Sequence, residues 1–150
     1  MTRIARRLGT FGLAATLAVA LQGCNSGSSS NNITQCTLPT GISAALVYPA
    51  PNTTGNNPNV GQVVVATNGT ISTSWNVILI PTFGAALFGS TIQLTSPPFP
   101  TPNQVPSFPN PTYYNSLFSS SLPSGTSVAV QLNDTSSSCS PGVTIGLFGT

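Results

Sequence analysis

From residue 42 onward, apolar residues alternate with polar ones or gather in short runs, and Gly, Pro, Asn and Ser punctuate them. No stretch there repeats at the spacing of an amphipathic helix, so the pattern predicts strands. Residues 42–48 put Ile42, Ala44, Leu46 and Tyr48 on one face of a first strand, which Pro49-Ala50-Pro51-Asn52 stops. Residues 52–60 read as a turn-rich loop. Residues 62–67 form a second strand around Val63, Val64 and Val65, closed by the tight-turn signal Asn68-Gly69. Residues 72–80 place Thr73, Trp75, Val77 and Leu79 on one face; residues 77–80 are apolar on both faces, as in a central strand. Shorter candidates lie at 85–88 and 91–95, with Gly89 between them. Further strands are expected at 113–118, at 127–133 with Val128, Val130 and Leu132 on one face, and at 143–148. The fold class is therefore all-β, with about seven strands in roughly 110 residues.

Residues 97–111 break the pattern. They hold seven of the fourteen prolines, together with Phe99 and Phe108. Proline cannot donate to a strand ladder, so the segment reads as an extended loop of polyproline character. Two roles are open to it. It is a preformed binding loop, which docks at low entropic cost, or a stiff connection across the edge of the fold.

The N-terminal segment has a different logic. Arg3, Arg6 and Arg7 precede a charge-free apolar run over residues 8–21, followed by Leu21-Gln22-Gly23-Cys24. A positive start, an apolar centre and a small residue at the cut are the parts of a secretory signal. The run, at about 14 residues, is short for a membrane span, which needs roughly 20. Leu21 to Cys24 resembles the lipobox of bacterial lipoproteins, with Gln22 standing where the family has a small residue. The resemblance implies cleavage before Cys24, which then carries the lipid and becomes the mature N-terminus. Two or three acyl chains anchor durably where one does not. Asn25 is not the Asp of inner-membrane retention, which implies the outer membrane if the cell has one. The alternative is an ordinary secretory signal with Cys24 as an incidental thiol. The chain divides into a signal peptide (1–23), a lipidated N-terminus and flexible Asn/Ser/Gly-rich tether (24–35), and one domain (36–150).

Cleavage changes the composition. All three positive side chains leave with the signal, and the only ionisable carboxylate side chain in the remainder is Asp134. With no Lys, Arg, His or Glu after the cut, the mature chain has no partner to tune a general acid or base. It also has no cluster of metal ligands and no means of neutralising phosphates. No catalytic residue, cofactor, metal or nucleic-acid partner is expected, and the protein is not expected to be an enzyme. Disorder goes with low hydrophobicity and high net charge, whereas this chain is 39% hydrophobic and nearly uncharged. Solubility falls to hydroxyls and amides.

Three cysteines are an odd number for an exported protein. Lipidation of Cys24 leaves Cys36 and Cys139, and an oxidising compartment permits a bridge between them; the alternative is two free thiols.

Leu122-Pro123-Ser124-Gly125-Thr126-Ser127-Val128-Ala129-Val130 resembles the approach to strand F in fibronectin type III and bacterial Ig-like domains. Val128 stands where those families carry the tyrosine of the corner hydrogen bond. The stretch from Tyr48 to Gly55 resembles the opening of bacterial Ig-like repeats, and Ile145 to Thr150 their final strand. The resemblance implies an Ig-like, fibronectin type III-like β-sandwich. Its first and last strands would lie side by side and parallel, with Cys36 and Cys139 at one end. Together with the lipobox-like anchor and the missing catalytic inventory, this fold pattern points to a non-catalytic, lipid-anchored module of the cell envelope with a structural or interaction role. Its partners would be the membrane, through the anchor, and an envelope protein or a glycan. A carbohydrate-binding or adhesion module is the alternative, with Trp75, Tyr113 and Tyr114 as candidate rings, joined by Phe99 and Phe108 from the proline-rich loop. Against it, Trp75 sits mid-strand among apolar neighbours, and strand alternation turns only one of Tyr113 and Tyr114 outward.

Overall fold

The computed structural model describes residues 34–99 and 108–150, which contain eight strands and no helix. The signal peptide, Cys24, most of the tether and the middle of the proline-rich loop lie outside the described residues. The strands are β1 (Ala44–Tyr48), β2 (Gln62–Thr67), β3 (Trp75–Pro81), β4 (Leu87–Thr91), β5 (Gln93–Thr95), β6 (Thr112–Leu117), β7 (Ser127–Asp134) and β8 (Val143–Gly149). Strands form near both short candidates, but β4 runs through Gly89 to Thr91, and the break between β4 and β5 falls at Ile92, not at Gly89.

Two antiparallel four-stranded sheets result, ordered β1-β2-β6-β5 and β4-β3-β7-β8, in a β-sandwich-like arrangement. Alternation along β3 and β7 turns Trp75, Val77, Leu79, Val128, Val130 and Leu132 into a shared core, where they meet Val63, Val65 and Tyr114 of the first sheet. Asn68-Gly69 does not close a hairpin. The chain leaves the first sheet there and joins the second at Trp75. The side chain of Asn68 holds this corner, accepting from the Ser43 amide at 2.9 Å and donating to the Gly41 carbonyl at 3.1 Å.

Both rims of the sandwich are laced. At one, the Ser116 hydroxyl donates to the Ser90 carbonyl at 2.6 Å, and the Leu117 amide donates to the Ser90 hydroxyl at 3.0 Å. At the other, residues 52–56 lie along β8. The Asn52 amide donates to the Leu147 carbonyl (2.8 Å), the Gly149 amide to Thr53 (2.7 Å) and the Asn56 amide to Gly149 (3.0 Å). Bond partners advance together along both segments, so this pairing is parallel. The parallel neighbour of the last strand is thus the segment expected to be a loop, while β1 itself pairs with β2. Pro49 and Pro51 follow the end of β1, where the chain passes to the rim of β8. Gly146 permits the close approach at this rim, because a Cβ there would fall 2.6 Å from Leu46 Cβ.

Candidate functional site

At one end of the sandwich the domain is stapled. Cys36 and Cys139 form a disulfide with a Cα separation of 4.8 Å, closing a sequence separation of 103 residues. Backbone bonds flank it: the Cys36 amide donates to the Pro141 carbonyl at 3.0 Å and the Ser140 amide to the Thr34 carbonyl at 2.9 Å. Cys36 is buried. Residues 34–36, the first described residues, are thus fixed to the loop that leads into β8.

The cleft beside the staple is lined by Thr34, Gln35, Thr37, Ser137, Ser138 and Asp134 together with the two cysteines. Asp134 ends β7. Its Oδ1 accepts from the Ser136 hydroxyl (2.7 Å), the Ser136 amide (2.9 Å) and the Ser74 hydroxyl (3.0 Å). The Ser136 hydroxyl, then its amide, then Ser74 favour the ionised form, and slight desolvation opposes them; the carboxyl stays below the usual carboxylate range. An Asp bonded to the amide two residues on is an Asx-turn, so Asp134 organises the β7–β8 turn. Thr135 ties the same turn to the Ser74 carbonyl through its amide, at 3.0 Å, and its hydroxyl. Among the described residues, no three His, Cys, Asp or Glu side chains gather as a metal site.

The five candidate ligand-binding aromatics separate into two groups. Trp75 and Tyr114 are 3% and 1% exposed and belong to the core, so neither offers a ring face to a ligand. Tyr114 is fixed further by its hydroxyl, which accepts from the Ile71 amide at 2.9 Å and donates to the Ile71 carbonyl at 3.4 Å. That bond joins β6 to the connection between the sheets. Its residue pattern gave no sign of it beyond the need of a buried tyrosine hydroxyl for a partner.

Tyr113, Phe99 and Phe108 meet on the outer face of the first sheet. With Tyr48 they pack over Val47, Val64 and Ala66, which are buried there. Phe99 and Tyr113 stack edge to face, with centroids 4.9 Å apart and planes at 62°. Both described ends of the proline-rich loop therefore carry a ring onto the sheet. A signal for this cover exists in the sequence: Val63-Val64-Val65-Ala66 does not alternate, so β2 must be buried on both faces. Comparison with protein-family models, curated proteins and solved structures found no match to this chain.

Proposed function

We propose that this chain is a non-catalytic, lipid-anchored module of the bacterial cell envelope, built on an immunoglobulin-like sandwich and acting in structure or interaction. The Cys36–Cys139 bridge carries the reading. It belongs to an oxidising compartment outside the cytoplasm, and it leaves Cys24, at the end of the lipobox-like segment, as the one cysteine outside it.

The strand order supports the immunoglobulin-like assignment. Lettered in chain order with β4 as C′, the sheets read A-B-E-D and C′-C-F-G, the constant-type arrangement with one added edge strand. Gly125, at φ +68°, makes the turn into β7 beside buried Leu122, as the family pattern requires. Val128 fills the corner tyrosine's position from the core. The non-catalytic part rests on composition, since one turn-forming Asp134 is the whole ionisable inventory of the mature side chains apart from cysteine and tyrosine. The glycan-binding alternative loses Trp75 and Tyr114 to the core, and its three other rings serve to cover β2.

Metabolic labelling with a fatty acid tests the anchor. The exported wild-type chain should take up label and the Cys24→Ala variant should not. Label retained by the variant, or absent from both, refutes the proposal.

A further inference from the structure

Asn68-Gly69 sits at the corner where the chain leaves the first sheet for the second. Of the chain's thirteen asparagines, only Asn68 is followed by glycine. Asparagine is a labile residue, and it is most so where the next backbone nitrogen can reach its side chain. Glycine has no Cβ to shield that nitrogen. Asn68 is also exposed, although Thr67 beside it is fully buried, so water reaches the corner.

We propose that Asn68 is a spontaneous modification site, deamidating through Gly69, and that the corner sets the rate. The inference goes beyond the envelope reading and does not depend on the anchor. In the reaction the Gly69 nitrogen bonds to the Asn68 Cγ and the Cγ–Nδ2 bond breaks. Ammonia leaves with the proton that the Gly69 amide gives up. Water then opens the cyclic imide at either carbonyl, which leaves aspartate or isoaspartate at position 68. Nothing is oxidised or reduced, and water is the one co-reactant.

The gate is the clamp on the side chain. Oδ1 accepts from the Ser43 amide at 2.9 Å, and Nδ2 donates to the Gly41 carbonyl at 3.1 Å. The Asn68 amide itself donates to the Ser43 carbonyl at 3.2 Å. Residues 41–43 thus hold the plane of the side-chain amide at both ends. Ring closure needs Cγ turned toward Gly69, which breaks both side-chain bonds, so the reaction runs from a locally opened corner.

The product does not restore the clamp. A carboxylate has no proton for the Gly41 carbonyl and sets its charge against that oxygen. The domain, whose single carboxylate side chain is Asp134, gains a second. Residue 41 loses its tie to the corner, and with it β1, the edge strand that follows, is held less firmly.

Ageing the exported chain carrying Cys24→Ser in mildly alkaline buffer tests the proposal, with one sample folded and one reduced and unfolded in urea. Peptide mass mapping reads the products. Asn68 should convert to aspartate and isoaspartate ahead of every other asparagine, about tenfold or more slowly in the folded chain than in the unfolded one. Gly69→Ala should suppress the reaction in both states; its added methyl meets only Ile42 Cδ1, the flexible end of a side chain. Asn68→Asp should lower the urea midpoint, and Asn52→Asp, at another exposed position, should not. Equal rates in the two states overturn the gate, and a midpoint unchanged by Asn68→Asp overturns the loosening of β1. The site is overturned if the folded chain reacts first at another asparagine, or keeps Asn68 intact through about a hundred half-lives of the unfolded reaction.

Discussion

Replacing both Cys36 and Cys139 with Ala should remove about a third or more of the stability margin of this domain. The bridge closes a sequence separation of 103 residues, nearly the whole described chain. In the chain-entropy treatment, a loop of about 100 residues restricts the unfolded ensemble by about 4.7 kcal/mol at 25 °C. A domain of this size has about 5–15 kcal/mol in total. The folded state should lose little directly, because the backbone bonds joining residues 34–36 to 140–141 need no sulfur. Trp75, the single tryptophan, is 3% exposed and reports unfolding by its emission. With a urea slope of about 1–3 kcal/mol/M, the midpoint should fall by roughly 1.5–4.5 M. The slope itself should rise, since an unbridged unfolded chain exposes more surface. A loss below about 1 kcal/mol would show that the unfolded chain is already restricted without the bridge. A full loss at unchanged slope would place the effect in the folded state and equally refute the reasoning.

Two further outcomes follow from single groups. Tyr114→Phe removes the partner of the buried Ile71 amide; stability should fall by about 1–3 kcal/mol, and a loss within the error of a urea titration would contradict that bond's role. Stability should be flat between about pH 5 and 8, because residues 36–150 contain no His and their one carboxylate side chain is Asp134. Asp134 acts only in acid. Its folded pKa is lowered, so its contribution is present above the unfolded value of about 3.9 and is lost as the pH falls through the folded value. Asp134→Asn should remove this acid dependence, and a slope between pH 5 and 8 in urea midpoints would count against it.

The strands were legible because the period-two signal is local. Val128, Val130 and Leu132 point inward together as their alternation requires. Residues 77–80 also marked β3 as interior correctly, since it pairs with both β4 and β7. What alternation cannot give is the destination of a turn. Asn68-Gly69 looks the same whether it folds a strand back or sends the chain to the other sheet, and only the pairing of β2 with β1 and β6 decides. The parallel addition of residues 52–56 to β8 was hidden for a related reason. It is held by backbone bonds, and its side chains carry no strand pattern. Among candidate site residues, the cysteine pair could be placed because parity and chain order constrain two residues strongly. Alternation also favoured a core Trp75 and turned only one of Tyr113 and Tyr114 outward, as found; what it could not give is that Phe99 and Phe108 would fold over the outer ring, because that exposure depends on a distant loop.

The proline-rich loop shows how such cover arises. β5 and β6 are antiparallel neighbours, and a hairpin between them needs about 2–5 residues. The chain instead uses residues 96–111, and the rings at both described ends, Phe99 and Phe108, land on the outer face that Val47, Val64 and Ala66 make apolar. No comparable connection joins neighbours in the second sheet: the β3–β4 link is residues 82–86 and the β7–β8 link residues 135–142, the latter organised by Asp134 and closed by the staple. The loop therefore covers the first sheet's outer face at Val47, Val64 and Ala66, leaving Leu117 exposed at the far end of β6, while on the second sheet Phe88, Ile80 and Leu147 stay open.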